Sequence, residues 1–502
     1  MTLAASLALL GAALAAGAAP PPAGAPTRAA PAPPRKLTLI YTADLAGWLE
    51  PCGCSADQRG GLARMATAIR RIRAGSPDTV FVAGGDLLFE GPIDPERRAR
   101  DLARARTMAA ALRAMGLAAT VVGERDLEAG PAFLREVGLP VVKGKRMGAL
   151  GFGEPGSVPR APFRAEVVHR GGTREAVGLA DEARRQGIDL LLASHREDLL
   201  SDDANRAVLD AAVPVVQVQG RGQSLARIDV TLAGDRSKGI LVLPGPAQRA
   251  EELDLLEVRG REYARRRAAA EAAGNAPLAA ALSTKIAELA ERQRALAAEP
   301  PPAPPADRPS LQVTFVPLGT DVPEDPEVRR ILTRHYAEMA RLNLAEARAR
   351  GRPCPDPARD EAGYTGATTA PPGGTRSCRD CHPAAFAQWQ ATPHAGAYAT
   401  LERGERQFDL DCVGCHVTGW KRPGGPCDVA TTEGRQGVQC EACHGPGNLH
   451  ALDPPGHIVR APPVATCEAC HTPEHSTGFE PASYRKRVLG PGHGAGYTGT
   501  RP

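Results

Sequence analysis

From residue 36 to about 260, short runs of β-branched residues and Leu alternate with Ala/Arg-rich stretches whose apolar residues recur every three or four positions. Alternation with period two marks a strand, and the three-to-four spacing marks a helix with one buried face. Strands are expected at 37–42, 79–83, 119–122, 140–142, 190–193 and 213–218. Helices are expected at 62–73, 96–115, 174–186 and 203–211, with Pro95 at a helix-opening position. This strand–helix order predicts an α/β layered domain over 36–260. Further strands are expected at 227–232, 239–243 and 253–258, without helices between them.

The pattern then turns all-helical. A hairpin is expected over 261–299: one helix at 263–273, a break at Gly274-Asn275, and a second helix from Pro277 to residue 299. Leu282, Ile286, Leu289 and Leu296 suit a helix–helix seam, so the hairpin either packs on its own domain or serves as an arm for oligomerisation or docking. A Pro-rich linker spans 300–309. Within 310–351, a strand at 311–317 is placed to return to the first domain's sheet, and a helix at 325–350 leads onward. From 352 to 502 the chain is rich in Gly, Pro and His and poor in aliphatics, too poor to close a conventional core.

Composition adds a compartment. Residues 3–16 are almost all Ala and Leu, and small residues follow, which makes 1–19 a secretory signal peptide, although it lacks the usual Lys or Arg at its start. Residues 20–35 read as a disordered Pro/Ala tether. Elsewhere no apolar run is long enough for a transmembrane span. A net charge of +4 over 502 residues points neither to nucleic acid nor to a membrane surface. The expected location is exported: periplasmic, or extracytoplasmic and membrane-associated.

Eight of the 12 cysteines fall into four copies of Cys-x-x-Cys-His: Cys378/Cys381/His382, Cys412/Cys415/His416, Cys440/Cys443/His444 and Cys467/Cys470/His471. Two thiols three positions apart share one face of a short turn, where both can form thioethers to haem vinyl groups. The next imidazole then reaches the iron from the same side. With His at 12 of 502 positions, its following all four pairs by chance has odds on the order of one in millions. The spacing therefore predicts four haem c groups, with His382, His416, His444 and His471 as proximal ligands. A pair of zinc sites is the weaker alternative. About 150 residues occupy a radius of gyration near 15 Å, so four haems must lie nearly in contact, as an electron relay requires.

Five further histidines lie in this segment: His394, His450, His457, His475 and His493. Five spares beside four irons make bis-histidine, low-spin centres the simplest outcome. The segments Thr392-Pro-His394, Asp411 to Trp420, Gly437 to His450 and Cys467 to His475 resemble the cytochrome c-554 family of multihaem cytochromes. That resemblance implies His394, His450 and His493 as distal ligands, with His457 and His475 competing for a fourth place, and it allows one five-coordinate haem. Cys354 and Cys427 are either a disulfide or two spectator thiols.

In the first domain, Leu39 to Gly47, Gly60-Gly61-Leu-Ala-Arg64 and Val82-Ala-Gly-Gly85-Asp86 resemble the 5′-nucleotidase branch of the calcineurin-type metallophosphoesterases. The resemblance implies a layered β-sandwich flanked by helices and a two-metal hydrolytic site. Carried over residue by residue, Asp44, Asp86 and His195 survive as ligands, while Ala46, Arg221 and Gln223 replace three others. Gly123-Glu124-Arg125 stands where the family has Gly-Asn-His, so Arg125 replaces the catalytic histidine. A single divalent ion held by Asp44, Asp86, His195 and Glu124 is the most this set could bind. Cys52 and Cys54, in the loop after Asp44, could share a soft metal, form a readily reduced disulfide, or be structural.

These readings combine into an exported tetrahaem electron carrier with a non-hydrolytic phosphoesterase-like domain, working with redox partner proteins. Two alternatives stand beside it: a metal-dependent phosphohydrolase with an attached cytochrome, and a scaffold subunit of a respiratory complex.

Overall fold

The computed structural model describes residues 34–51, 58–142, 149–151, 163–169, 171–194, 205–218, 220–298, 302–350, 357–358, 361–372, 374, 376–454, 456–472, 475–476 and 479–490. The segments expected to be a signal peptide and, for the most part, a tether, together with Cys52, Cys54, His195, Cys354 and His493, lie outside them.

Two mixed sheets and their helices form the first part. In chain order the elements are β1 (Arg35–Thr42), α1 (Leu62–Gly75), β2 (Thr79–Ala83), α2 (Arg98–Ala114), β3 (Leu117–Thr120), α3 (Pro131–Val137), β4 (Ala149–Gly151), β5 (Arg164–His169), α4 (Gly172–Gly178), α5 (Ala180–Arg185), β6 (Leu190–Ser194), β7 (Arg206–Val208), β8 (Val215–Gln217), β9 (Ser224–Leu232) and β10 (Leu241–Leu243). The hairpin α6 (Pro246–Ala272) and α7 (Ala276–Ala298) follows, then β11 (Ser310–Pro317) and α8 (Pro326–Arg350). One sheet runs β10-β11-β9-β1-β2-β3 and the other β4-β5-β6-β8-β7.

Alternation decides which layer each side chain enters. In β1, Leu37, Leu39 and Tyr41 join a core shared with Ala165 and Val167 of β5 and Leu190 and Leu192 of β6, so the two sheets pack face to face. Ile40 points the other way, into the core beneath α1, α2 and α8 with Met65, Met108 and Leu332. On the outer face of the second sheet, Leu191 and Ala193 pack with Ala176 and Ala180 of α4 and α5. The result is the expected α/β sandwich flanked by helices. β11 pairs antiparallel with β9 from Ser310–Thr231 to Pro317–Ser224, so the chain does return to the first sheet after the hairpin.

Three expectations are corrected. Residues 253–258 are not a strand but lie inside α6, so the hairpin begins at Pro246 rather than 261. A short Leu run is ambiguous in period, and here Glu257 pairs with Arg261 one turn on at 2.9 Å. Within the helix expected at 203–211, residues 206–208 instead form the edge strand β7, pairing antiparallel with β8, and Val208 packs on the outer core. Residues 140–142 make only an isolated bridge, Thr120 to Val141.

The C-terminal part consists of short helices joined by irregular chain: α9 (Cys378–Cys381), α10 (Pro383–Gln390), α11 (Ala397–Arg403), α12 (Leu410–His416), α13 (Cys440–His444), α14 (Asn448–Leu452), α15 (Val464–Glu468) and α16 (Pro481–Val488). Its apolar cluster is small: Tyr398, Leu401, Val413, Val417 and Val429 are buried there. Among the described residues no helix is long and apolar enough to cross a membrane.

Candidate haem-binding module and the acidic pocket

Each Cys-x-x-Cys-His motif sits on or at the end of a short helix, where the two cysteines share a face. Local caps hold these turns. The Ser377 backbone N–H and hydroxyl both bond Asp380 Oδ2, at 2.9 and 2.8 Å, ahead of α9. Asp409 accepts from the Asp411 N–H at 3.0 Å and opens α12. Gln439, before α13, donates its N–H to Thr418 at 2.8 Å and accepts from the Ala367 N–H at 2.7 Å. None of the eight motif cysteines is in a disulfide, so all eight remain available for thioether formation. Cys427 is disulfide-bonded, and its partner is none of those eight.

The tertiary fold brings the motifs together in pairs. The Cys378 thiol lies close enough to Cys440 to have its pKa raised by it, linking the first and third motifs, and Cys470 is raised in the same way by Cys415, linking the fourth and second. The imidazoles pair across motifs as well. His382 and His450 lie with ring centres 6.3 Å apart, and so do His394 and His471. Face-to-face stacking would be far closer. Two imidazoles on opposite sides of one metal ion, each with a bond of about 2 Å and about 1.1 Å more to its ring centre, are separated by about 6.2 Å.

Tautomers fit the same reading. The Nδ1 atoms of His416, His444 and His450 lie 2.6, 2.7 and 2.9 Å from the carbonyl oxygens of Ala397, Val459 and Gly456. A carbonyl only accepts, so each Nδ1 carries the proton and each Nε2 keeps its lone pair for a metal. Burial lowers the pKa values of His394, His416 and His471, and the charge of His471 lowers His394 further, which favours the neutral, ligating form. The donor set therefore fits haem c.

His475 and His457 do not join such pairs among the described contacts. The His475 ring lies 6.1 Å from Trp48 of the first domain, and His457 Nε2 is 3.7 Å from Asp453 on the surface.

Sequence reading passed over Glu441, between the cysteines of the third motif. Its carboxylate is buried and accepts the backbone N–H groups of Thr365, Gly366 and Gly447, the last two at 2.7 Å. It thereby ties the segment before the first motif to the third. Nothing local distinguishes it from Glu468, the equivalent residue of the fourth motif, which is exposed.

In the first domain, the loops after β1 and β2 are laced together: Asp44 N–H to Gly85 O at 3.1 Å, Ala46 N–H to Asp86 O at 2.9 Å. Asp44, Ala46 and Asp86 take φ of 52°, 51° and 50°, a left-handed conformation unusual outside glycine and often found at functional sites. Asp44 and Asp86 are both buried. Gly123 lies so close that a Cβ there would meet Asp86 Oδ1 at 2.0 Å. Beneath them Asp126 accepts from Leu87, Leu88 and Gly123 N–H groups, and burial nonetheless raises its pKa.

Cationic groups face Asp86. The Arg125 N–H bonds Oδ1 at 2.9 Å, and its guanidinium stands 3.8 Å from Oδ2. His169, at the end of β5, places Nε2 3.4 Å from Asp86 Oδ1. Its Nδ1 lies 2.7 Å from Gly84 O. Burial lowers the His169 pKa, but the bond to Asp86 and the charges of Asp86 and Asp44 outweigh it, and the net shift is upward. Sequence reading missed His169 because strand β5 was not recognised. The alternation of Ala165, Val167 and His169 is the signal that could have found it. Glu124 is exposed, and His195 lies outside the described residues. Among the described residues no three His, Cys, Asp or Glu side chains form a group that could hold a metal ion. The Arg221 backbone N–H donates to the Asp44 carbonyl at 2.8 Å, while its guanidinium lies over Trp48 at 4.5 Å and pairs with Glu90 at 3.1 Å.

Residues 377–445 match the family described as cytochrome c554 and c-prime. Cytochrome c-554 of Nitrosomonas europaea is 35% identical over 101 residues, covering 17% of this chain and 43% of the relative. The chain thus spans less than half the length of that curated relative. Similar solved structures include a sulfate thiohydrolase, SoxB, of Thermus thermophilus: 14% identity, TM-score 0.33, 60% of each chain covered. Another is a 5′-nucleotidase precursor of the same organism: 17% identity, TM-score 0.27, 41% of this chain and 52% of that one covered. The segment carrying the first three motifs is thus similar to cytochrome c554, a family that implies haem c.

Proposed function

We propose that this chain is an exported tetrahaem c-type cytochrome that carries electrons between redox partner proteins, and that its first domain is not a hydrolase. The observation that carries the reading is the pair of 6.3 Å imidazole separations, His382 with His450 and His394 with His471, each involving the histidine of a Cys-x-x-Cys-His motif. Haem c bound at each motif supplies a reversible one-electron iron couple. The chain's residues do the rest. Cys378/Cys381, Cys412/Cys415, Cys440/Cys443 and Cys467/Cys470 attach the groups, and His382, His416, His444 and His471 hold one face of each iron. With haem bound, His450 would supply the second histidine at the first centre and His394 at the fourth. His493, His475 and His457 remain candidates for the other two, either of which can be five-coordinate.

The mutual influence of the cysteines supports a compact arrangement in which the first motif lies near the third, and the fourth near both the second and the third. Filling both axial positions shields iron from substrates and favours electron transfer over catalysis. Cys52 and Cys54 are a candidate redox terminus in the first domain.

A pyridine haemochrome assay with intact-mass measurement tests this reading. Four haems per chain, predominantly low-spin when oxidised, are expected. Fewer than four, or a dominant high-spin spectrum, would overturn it. The alternative, a metal-dependent 5′-nucleotidase-like phosphohydrolase with an attached cytochrome, draws on the neighbouring buried carboxylates Asp44 and Asp86 and predicts metal-dependent turnover that disappears in Asp86→Ala.

A further inference from the structure

We infer that Arg97 and Arg104 of the first domain help set the redox potential of the haem attached at Cys412 and Cys415, so that this centre's charge environment spans both parts of the molecule. The inference rests on the haem-bearing reading of the second motif. Asp411 directly precedes Cys412. In the other three motifs the same place is held by the uncharged Ser377, Gln439 and Thr466. Both oxygens of Asp411 are taken by helix α2 and the residue before it: Arg97 Nη2 lies 2.6 Å from Oδ1, and Arg104 binds Oδ2.

A second layer surrounds this pair. Asp409, which caps α12, pairs with Arg406 at 3.0 Å and lies 3.5 Å from the Cys412 sulfur. Arg406 in turn lies over the Tyr336 ring of α8 at 5.2 Å. Helix α8 also holds the approach to the motif, since Asn343 Nδ2 donates to the Phe408 carbonyl at 2.7 Å. It is braced on α2 by Glu346 with Arg100 at 2.6 Å. Three guanidiniums, Arg97, Arg104 and Arg406, therefore face two carboxylates, Asp409 and Asp411, within one to three residues of a thioether cysteine. The Arg104 and Asp411 side chains are 26% and 35% exposed, so water screens the field without abolishing it.

The sign follows from charge. Reduction lowers the charge on iron by one, so a nearby cation favours the reduced form and raises the potential, and an anion lowers it. Neutralising Arg104 leaves Asp411 less compensated and must lower one potential. Neutralising Asp411 must raise it. A residue that only held the fold together would shift both variants in the same direction.

The test uses the full-length haem-loaded protein and its Arg104→Gln, Arg104→Lys and Asp411→Asn variants. Haem content is measured first, with peptide mapping of Cys412 and Cys415, and spectroelectrochemical titration follows at low and high salt. One of the midpoints should fall in Arg104→Gln, stay in Arg104→Lys and rise in Asp411→Asn, with the others unmoved and the differences shrinking in salt. Where Arg104→Gln fails to fold, Arg97→Gln carries the same sign. Unchanged potentials, or shifts in the same direction for the Arg→Gln and Asp→Asn variants, would overturn the inference. Absence of haem at Cys412/Cys415 in the parent protein would instead remove the reading on which it rests.

Discussion

The imidazoles of His382 and His450 lie 6.3 Å apart with their planes 15° from parallel, although one belongs to the first motif and the other follows the third. No local rule brings them together. The Gly456 carbonyl holds the His450 Nδ1 proton, so the ring presents Nε2. Replacing His450 with Ala should therefore convert one low-spin haem to high-spin and leave all four covalently attached. His394→Ala should do the same to the fourth centre, and the double variant should lose both signals. Low-temperature EPR of the oxidised protein checks this, and an unaltered spectrum in either variant removes that residue from the ligand set.

The acidic pocket predicts an absence of turnover. Arg125 stands at Asp86 with both its N–H and its guanidinium, and His169 flanks the same carboxylate. A guanidinium is permanently charged and cannot donate a proton to a leaving group. With Mn²⁺, Zn²⁺ or Ca²⁺ added, hydrolysis of nucleoside monophosphates or an aryl phosphate should stay at background. Arg125→His alone should not restore it, because Ala46, Arg221 and Gln223 still lack metal-binding imidazoles. Turnover abolished by Asp86→Ala would reverse this conclusion.

His335 makes the fold sensitive to acid. It is buried against Thr107, with Nδ1 3.1 Å from the hydroxyl. Burial first, and then the positive charge of Arg104, lower its pKa from 6.5 to about 4. The unfolded chain thus binds a proton that the folded chain refuses between those two values. Stability is complete above pH 6.5 and declines as pH falls toward 4, by up to about 3 kcal/mol from this group. Denaturation midpoints compared at pH 7.5 and 4.5 should show a smaller difference in His335→Gln than in the parent. An equal difference would show that other groups control the acid limb.

Glu441 and Glu468 occupy the same place in two identical Cys-Glu-Ala-Cys-His motifs. Glu441→Ala strands three buried backbone donors and should cost about 3 kcal/mol or more, read as a marked fall in melting temperature. Glu468→Ala should change stability by less than about 0.5 kcal/mol. Equal effects at the two positions would contradict the burial difference.

That pair also separates what was legible locally from what was not. The motif turns themselves depend on neighbours within four residues, so Cys-x-x-Cys-His could be read directly. The alternation of β1 could be read for the same reason, because side chains on a strand change face at each step. The run 253–258 could not, since six residues rich in Leu satisfy either period until a neighbour decides. It lies inside α6, whose Glu252 meets Arg292 of α7 at 2.9 Å.

Distant pairing decided the rest. His169 gained its place beside Asp86 only when β5 was laid parallel to β6 in the second sheet. The match of His382 with His450, the approach of Cys378 to Cys440, and the clamp of Arg97 and Arg104 on Asp411 each join segments with no shared local pattern. The sequence alone picked out the four Cys-x-x-Cys-His motifs as candidate haem attachment sites, because attachment chemistry is confined to one turn. Which histidine faces which, and which of two identical glutamates is buried, was decided by tertiary packing, because those contacts depend on how separate turns are brought together in space.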